Sequence, residues 1–431
     1  MAKDLATADI VTALLKNQHI LCVVNGSVKR ITLDNLMDSI NSGDEQLLRS
    51  VAWGVPLKQN VQSSPIWGRI GNTNLYAQYK SQVGRYMLKN NGKGAKLSVS
   101  DSHYYADGTT VDFSIGHTIV KAPRLYLLVK DDPTTNIPIL WGSMLPIGGF
   151  YIDMCAGAFL GSIQNGKLVS RPGVAPTASK TISQFFDAAQ QNGPDFGLVD
   201  YDWARWFVAM NLFEFGNPNV QGNIGNGVTG TNNSSDYTTP WSWNLGDTLS
   251  LGDACGKVDK AWTNSGGTAV QNASHVSLFG SEDNFCFWQM LQGIYCGSSS
   301  NSGQDGTEVF IYKGNRLPTS AELATHPAGD YRTITRLTTE GYIKKMLLGQ
   351  HFDIFASATG GGGDSYWCDY QYANNTGQLV LLGGTAYHGA YCGLGCVYSH
   401  YAFSYSYARY GSRLAYYGDI DLVDGADLAT A

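Results

Sequence analysis

The sequence predicts an α+β protein with short strands and long loops. The chain has 431 residues, of which 43% are hydrophobic, and this is enough apolar material to bury a large core. It contains 51 glycines and only 15% charged residues, a profile typical of a loop-rich protein. Strand-like runs such as "TVDFSIGHTIV", "RLYLLVK" and "GGFYIDMC" are followed by one clear amphipathic helix.

The first sixty residues differ in character from the rest. "TADIVTALLKN" predicts a helix, "ILCVVNGSVKRITL" predicts a hairpin with Asn25 and Gly26 at its turn, and "LDNLMDSI" predicts a second helix capped by Thr32. Two short helices and a hairpin hardly bury a core alone. We therefore interpret residues 1–60 as a small adaptor that packs on another subunit or assembly, or else on its own main domain, residues 61–431.

The clear helix is "DYDWARWFVAMNLFEFG". Trp203, Trp206, Phe207 and Met210 fall at positions i, i+3, i+4 and i+7, which predicts a buried stripe rather than a cofactor site. The later run "TTEGYIKKMLLG" is also helix-like. "GNIGNGVTG" is predicted to be a structural loop, because no Lys-Ser or Lys-Thr follows it as in a phosphate-binding loop.

Charge and hydropathy exclude two classes of partner. The net charge is −6, the sequence pI is about 5.7, and no Lys/Arg cluster is present, so we expect no nucleic-acid binding. No apolar run reaches the roughly 18 residues of a membrane span, and the N-terminus is not built like a signal peptide. Eight cysteines are scattered along the chain, and we expect mostly free thiols.

One group of residues has the side chains for metal or nucleophilic chemistry. His388, Cys392, Cys396 and His400 stand four residues apart. On one helix they would form a stripe about 18 Å long, so a single ion would touch only two neighbours. A Cys-His nucleophilic pair is an alternative, but no third group supports it, and the nearby aspartates show no acid/base spacing. We expect no metal, no cofactor and no catalytic residues.

The composition of the C-terminal segment is a stronger signal. Residues 379–431 contain no Lys, Glu, Gln, Met or Trp, although a uniform distribution would place about seven there. Twelve of the 25 tyrosines lie between Tyr366 and Tyr417. "YSHYAFSYSYARY" combines Tyr with Ser, His and Arg, a mixture typical of recognition surfaces, because Tyr offers a large rigid contact area together with a hydroxyl.

Three stretches carry a resemblance to a known family. "KLVSRPGVAPTASKTISQFFDAAQQNGPDFGLVDYDWARWFVAMNLFEFGNPNVQGNIGNG" resembles the body of the C-type-lectin-fold variable proteins of phages and gut bacteria, which also resemble the formylglycine-generating, sulfatase-modifying domain. "VSLFGSEDNFCFWQMLQGI" stands in the place of their "GxENxWGNxWxxxxGI" element but lacks "WGN". The C-terminal stretch "YWCDYQYANNTGQLVLLGGTAYHGAYCGLGCVYSHYAFSYSYARYGSRLAYYGD" is similar to their variable region, with its "GG" start and "GxRLAF"-like end. The resemblance spans roughly residues 67–421.

The resemblance implies a C-type lectin fold of the formylglycine-generating-enzyme-like subclass, with two main helices, preceded by the adaptor. It also implies a binder diversified by a retroelement that mutates adenines of a template repeat, chiefly at AAY codons. Codons of the form NNY never encode Lys, Glu, Gln, Met or Trp, which are the five residue types absent from the C-terminal segment.

The resemblance also names candidate ligand-binding residues within a variable region of about 366–417. Residues 379–384 and 411–416 would be its fixed scaffold. Carried over by position, the diversified side chains are Tyr387, His388, Tyr391, Cys392, Tyr398, His400, Tyr401, Tyr405, Tyr407 and Tyr410.

The function that the resemblance implies is that of a receptor-binding protein, or adhesin, of a phage tail or tail fibre. It would bind a protein or glycan on the host-cell surface, dock to other tail proteins through residues 1–60, form a homotrimer and reside in the virion. Two alternatives stay open. One is a sulfatase-modifying-like oxidase with a copper-bound cysteine pair, although His388 stands where the first cysteine is expected. The other is a diversified binding protein of the bacterial cell surface.

Overall fold

A computed structural model describes residues 19–24, 27–58, 68–229, 243–263, 269–270, 273–283 and 285–430. The chain is a mixed α+β protein, and most of its regular structure is strand. In the described ranges, eight α-helices accompany strands that form seven sheets. The helix predicted at "TADIVTALLKN" and the turn at Asn25 and Gly26 lie outside the described residues.

The elements are numbered in chain order. The helices are α1 (Leu33–Asn41), α2 (Glu45–Val51), α3 (Thr73–Lys80), α4 (Ile182–Gln190), α5 (Tyr201–Phe215), α6 (Val220–Asn223), α7 (Ser320–Ala324) and α8 (Gly425–Thr430). The first strands are β1 (His19–Val24), β2 (Ser27–Thr32), β3 (Trp53–Pro56), β4 (Ile70–Gly71), β5 (Gly84–Leu88), β6 (Lys93–Lys96), β7 (His117–Asp131), β8 (Pro138–Ser143), β9 (Phe150–Gly157), β10 (Ser162–Gln164), β11 (Lys167–Val169) and β12 (Phe196–Leu198). The remaining strands are β13 (Gly256–Asp259), β14 (Trp262–Thr263), β15 (Ala269–Val270), β16 (Ser274–Leu278), β17 (Ser281–Asp283), β18 (Trp288–Met290), β19 (Ile294–Cys296), β20 (Glu308–Ile311), β21 (Arg332–Thr335), β22 (Gly341–Leu348), β23 (Asp353–Thr359), β24 (Tyr370–Ala373), β25 (Leu381–Gly383), β26 (Gly393–Ser399), β27 (Tyr410–Gly411), β28 (Leu414–Tyr416) and β29 (Asp421–Leu422).

The larger of the two main sheets has ten strands, in the order β12-β28-β9-β7-β5-β6-β29, with β8, β3 and β4 continuing from the far half of β7. The predicted run "RLYLLVK" lies within β7 and most of "GGFYIDMC" lies in β9, so these two strand predictions are confirmed. Only the last four residues of "TVDFSIGHTIV" belong to β7, because residues 113–115 form a 3-10 turn, so this strand prediction is confirmed for residues 117–120 alone. β28 pairs with β9 and β29 pairs with β6. The C-terminal segment is therefore held inside the sheet that the N-terminal half builds.

The second main sheet has seven strands, in the order β23-β22-β24-β26-β25-β18-β27, and it contains most of the predicted variable region. The helix-like interpretation of "TTEGYIKKMLLG" is wrong, because most of this run is strand β22. Irregular register with β23 interrupts the strand alternation between Ile343 and Leu348. Buried Ile343 and Met346 therefore stand three residues apart, a spacing that imitates a helix.

Helix α5 runs through the main core. It begins at Asp200, whose carboxylate accepts a hydrogen bond from the backbone N–H of Trp203 at 2.9 Å, and it ends at Gly216 in the left-handed conformation (φ 73°). The predicted stripe is confirmed, since its two tryptophans, Phe207 and Met210 are all buried. Buried side chains surround the helix on every side. No helix in the described ranges is long and apolar enough to cross a lipid bilayer.

The N-terminal segment packs on the larger sheet of its own chain. β1 and β2 pair antiparallel, which confirms the hairpin strands, and α1 begins at Thr32, whose hydroxyl accepts from the N–H of Asn35 at 3.2 Å. Leu36 of α1 and Leu48 of α2 are buried in one apolar cluster with Trp141 of β8. β3 also lies before residue 60 and pairs with β8. A docking role for residues 1–60 stays a prediction.

Candidate ligand-binding surface

Tyrosines of two adjacent strands lie side by side on one face of the seven-stranded sheet. In β24, Tyr370 and Tyr372 are half-buried while Gln371 and Ala373 between and after them are buried, as the two-residue period of a strand requires. β24 pairs in parallel with β26, and Tyr372 is the register partner of Tyr398. Their ring centroids are 5.3 Å apart. Strand pairing therefore places these three rings on the same surface.

These rings belong to a continuous series that we call the tyrosine band. Every member is half-buried or exposed, and each ring contacts the next, with centroid separations from 4.1 Å to 6.1 Å. In order of ring contact, the band consists of Tyr391, Tyr342, Tyr370, Tyr372, Tyr398, Tyr401, Tyr405 and Tyr407. It thus joins strands β22, β24 and β26 to the loop that follows β26.

The loop end of the band is fixed by stacking and by backbone hydrogen bonds. The rings of Tyr401 and Tyr405 are nearly parallel, at 8°, with centroids 4.1 Å apart. The carbonyl of Tyr401 accepts from the N–H groups of Gln378 and Leu379 at 2.9 Å and 3.1 Å, and the carbonyl of Tyr407 accepts from the N–H of Ser179 at 3.1 Å. The loop that displays these rings is therefore anchored to other parts of the fold.

Buried aromatic side chains support the band from below. Trp288 is 1% exposed, and its ring centroid lies 5.0 Å from that of Tyr398. Tyr410 is 2% exposed and contacts four band rings, those of Tyr398, Tyr401, Tyr405 and Tyr407, with centroids 5.9–6.3 Å away. Burial raises the pKa of the Tyr410 phenol, so it stays neutral. The exposed rings rest on an aromatic layer that is part of the core.

The ten predicted ligand-binding residues divide into three groups by exposure. Tyr387 and Tyr391 are exposed, at 42% and 36%. Half-buried are His388, Tyr398, His400, Tyr401, Tyr405 and Tyr407. Cys392 and Tyr410 are buried. We correct the prediction for these two, because a side chain enclosed by its own fold does not present a contact surface to a ligand.

Three band members were missed by the sequence prediction. Tyr370 and Tyr372 lie inside the predicted variable region, and their alternation in "YWCDYQY" is the signal that would have placed both on one strand face. Tyr342 comes from β22, and its ring reaches those of Tyr370 and Tyr391 at centroid distances of 5.4 Å and 5.1 Å. No local pattern marks Tyr342, because strand pairing alone brings it to the band.

The His-Cys-Cys-His series does not form a helix. The chain makes a short 3-10 turn at Gly389–Tyr391 and then strand β26. Among the described residues, no group of three or more His, Cys, Asp or Glu side chains is placed to hold a metal ion. Burial raises the pKa of the Cys392 thiol to about 12, and burial with the nearby Arg409 lowers the pKa of His388 to about 4. Both groups are thus neutral near pH 7, and a neutral thiol is a poor nucleophile.

The glycines around this region let a buried carboxyl and a buried thiol approach the backbone. Gly383 and Gly384, the "GG" of the sequence, both have positive φ, at 103° and 115°. A Cβ on Gly384 would overlap the Cys392 sulfur, and one on Gly393 would overlap the Asp369 carboxyl. Asp369 accepts a hydrogen bond from the N–H of Gly395 at 2.7 Å, and burial raises its pKa to about 7.

A buried arginine holds the end of the variable region in the core. Arg413 of "GSRLAYYGD" is 1% exposed. Its guanidinium donates to the carbonyls of Gly157 and Glu282 at 3.0 Å and 2.8 Å and to the side-chain oxygens of Gln289, Ser281 and Asp283 at 3.0–3.3 Å. These bonds connect the residue just before β28 to β9, β17 and β18. These hydrogen bonds anchor the end of the predicted variable region to the core.

Comparison with known proteins does not assign the chain to a family. No protein-family model matches the chain, and no curated protein is significantly similar to it in sequence.

Proposed function

We propose that this chain is a receptor-binding protein of a phage tail or tail fibre that presents the tyrosine band to a ligand on the host-cell surface. The observation that carries the proposal is the band itself, eight half-buried or exposed aromatic rings in unbroken contact along one sheet face and its anchored loop. Tyrosine is enriched among the residues that dominate binding energy at interfaces.

The packing of the band favours binding over a purely structural role. A side chain already restrained by its neighbours loses little conformational freedom when a ligand contacts it, whereas ordering a free side chain costs about 0.5–1.5 kcal/mol. Tyr401 and Tyr405 are stacked, and their loop is held by three backbone hydrogen bonds. Such a surface is organised before the ligand arrives, and its hydroxyl groups supply polar contacts.

The finer part of the proposal is a C-type lectin fold of the formylglycine-generating-enzyme-like subclass, diversified by a retroelement. It is supported by the "GG" start, by the buried Arg413 in the "GxRLAF"-like end, and by the absence of five residue types from residues 379–431. By the same resemblance we propose a homotrimer in the virion that docks to other tail proteins through residues 1–60. A diversified protein of the bacterial cell surface is the alternative location.

The DNA that flanks the gene tests the diversification. We expect a reverse transcriptase gene and a near-copy of the 3′ end that carries adenines at the codons of Tyr387, Tyr391, Tyr398, Tyr401 and Tyr405. We expect no template adenines that would change the buried residues Cys392 and Tyr410, because replacing them disturbs the core. Flanking DNA without a template copy would contradict the diversification but leave the binding role to be measured separately.

Labelling of bacterial cells tests the binding role. Fluorescent protein is incubated with a panel of gut bacterial isolates, and the strains that it labels are identified. The double variant Tyr387→Ser/Tyr391→Ser changes Tyr391, the most exposed member of the band, and Tyr387, an exposed predicted ligand-binding residue outside the band, and we expect it to lose most of this labelling. Tyr151→Ser is the matched control, because Tyr151 of β9 in the other main sheet is 46% exposed, slightly more than either of the two tyrosines. Equal labelling by all three proteins would refute the proposal.

A further inference from the structure

An open cleft of about 600 Å³ lies beside the ten-stranded sheet, outside the variable region. Its walls are the turn after β5, the 3-10 turn before β7, the β10–β11 hairpin with the segment after it, and the end of the turn that follows α4. The volume is within the range of small-molecule sites in proteins. Five of the lining side chains are carboxamides, namely Asn90, Asn91, Gln164, Asn165 and Asn192. Three others are cations, Lys89, Lys167 and Arg171, and no carboxylate lines the cleft.

Two of the carboxamides are held by a hydrogen-bonded relay whose direction follows from one backbone carbonyl. The carbonyl of Leu168 only accepts, so Asn192 donates to it through Nδ2 at 2.7 Å. The Oδ1 of Asn192 then accepts from Nδ2 of Asn90 at 3.4 Å, and the Oδ1 of Asn90 accepts from Nε2–H of His117 at 2.9 Å. Each amide nitrogen carries two hydrogens, so Asn90 and Asn192 both keep one donor for a ligand.

His117 fixes this relay because it is buried and neutral. It is 1% exposed, and burial lowers its pKa to about 3, with the charges of Arg171 and Lys167 acting in the same direction. Its other ring nitrogen, Nδ1, has no hydrogen-bond partner in the described part of the chain. A neutral imidazole bonded through Nε2–H orients the Asn90 side chain at any physiological pH.

The cations give the cleft a charge opposite to that of the whole chain, which is −6. Lys167 is exposed on β11, and Arg171 is half-buried, with its Nε–H donating to the carbonyl of Gly116 at 2.7 Å. Asp112, outside the lining, is the acidic group whose charge acts on Arg171. Ile115 and Val169 add apolar lining. The cleft thus combines paired donors and acceptors, positive charge and a small apolar surface.

We propose that this cleft binds an acidic saccharide, a sugar that carries a carboxylate, sulfate or phosphate group. The carboxamides match sugar hydroxyl groups, since both donate and accept hydrogen bonds. Lys167 and Arg171 match the acidic group, and Ile115 and Val169 match the C–H face of a sugar ring. The cleft lies outside the predicted variable region, and none of its lining residues belongs to the tyrosine band. This proposal does not depend on the proposed receptor-binding role.

Isothermal titration of the purified full chain with two acidic probes, trigalacturonate and 3′-sialyllactose, tests the proposal, with maltotriose as the neutral comparison. We expect at least one acidic probe to bind at least tenfold more tightly than maltotriose, and less tightly as NaCl is raised. Lys167→Glu should weaken that binding at least tenfold. Lys344→Glu makes the same charge change at an exposed position of β22 in the other main sheet and should leave it unchanged.

A second variant tests whether the hydrogen-bonded relay contributes to binding in addition to the positive charge of the cleft. Asn90→Ala removes the middle of the relay without changing the net charge, and we expect it to weaken the same acidic probe at least fivefold. Tyr387→Ser/Tyr391→Ser should bind that probe like the parent, so a failure of the cleft proposal and a failure of the proposed tyrosine-rich binding surface give different results. The proposal is overturned if neither acidic probe binds, or if Lys167→Glu and Lys344→Glu bind alike.

Discussion

The layered packing of the tyrosine band predicts a graded stability series, and Tyr410→Ala is its most damaging member. Tyr410 is 2% exposed and its ring contacts four other tyrosine rings. Truncation of a buried aromatic side chain costs about 3–5 kcal/mol. Because the lost ring contacts are all with the band, the loss should also loosen the loop between Tyr401 and Tyr410.

Substitution of the more exposed tyrosines of the band should lower the free energy of unfolding much less. Tyr391 is 36% exposed, and its closest ring neighbours are Tyr370 and Tyr342, at centroid distances of 4.6 Å and 5.1 Å. Well-formed aromatic pairs contribute about 0.5–1.5 kcal/mol each, so with partial exposure we expect about 1 kcal/mol for Tyr391→Ser. Half-buried Tyr398, which contacts Trp288 and Tyr372, should fall between, at about 2 kcal/mol for Tyr398→Ser.

Urea unfolding followed by circular dichroism measures the series, with midpoints compared at a common slope. The expected order of destabilisation is Tyr391→Ser, then Tyr398→Ser, then Tyr410→Ala. If Tyr391→Ser costs as much as Tyr410→Ala, the band is uniformly core. The absence of Lys, Glu, Gln, Met and Trp from residues 379–431 would then reflect burial rather than diversification.

Three further predictions follow from the same region. Burial raises the pKa of Asp369 to about 7 from 3.8, so between about pH 4 and pH 7 the folded chain holds a proton that the unfolded chain has released, and this group makes stability fall as pH rises. The side chain introduced by Asp369→Asn does not titrate, so the free energy of unfolding of the variant should increase relative to that of the parent by up to about 1.4 kcal/mol per pH unit in that window. The result would contradict this if the urea midpoints of the two proteins differ by the same amount at pH 4.5 and at pH 7.5. Gly384→Ala should lower the free energy of unfolding by more than about 2 kcal/mol, because φ is 115° at this position and the added methyl group would overlap the Cys392 sulfur. Gly349→Ala should cost less, because Gly349 also has a positive φ but open space around it. Equal urea midpoints for the two variants would refute the role of the overlap. EDTA should leave the melting temperature unchanged, since structural zinc would contribute several kcal/mol; a clear decrease would point to a metal.

The secondary structure was predicted correctly from the sequence where the spacing of the apolar residues matches the element that they form in the fold. Helix α5 was predictable because its apolar residues repeat at helical spacing and Asp200 and Gly216 supply its two ends. Strand β22 was not, because irregular pairing with β23 shifts its apolar residues to a helix-like spacing. Strand pairing is decided by distant residues, and a local spacing does not reveal it.

The sequence predicted which residue types form the candidate surface, but not how deeply each of these side chains is buried. The tyrosine-rich segment identified most of the band, yet exposed Tyr391 and buried Tyr410 belong to the same run of similar residues. Tyr410 is buried because β27 pairs in parallel with β18 beside Trp288, and this pairing joins residues more than a hundred positions apart. Tyr342 joins the band through strand pairing in the same way. The cleft proposed to bind an acidic saccharide is likewise assembled from four separate segments, residues 89–91, 115, 164–171 and 192.

Under the proposed binding role, the half-burial of the band meets two opposing requirements, that a contact residue be accessible and that it be ordered before the ligand binds. A fully exposed tyrosine tolerates replacement but must be ordered by its ligand, which costs about 0.5–1.5 kcal/mol per side chain. A fully buried one is ordered but out of reach, as Tyr410 is. Stacking against neighbours, as between Tyr401 and Tyr405, orders the ring during folding while leaving part of it exposed. Replacing such a ring weakens the fold, so a band diversified as we propose requires a stable surrounding structure, and the five hydrogen bonds of buried Arg413 contribute to that stability.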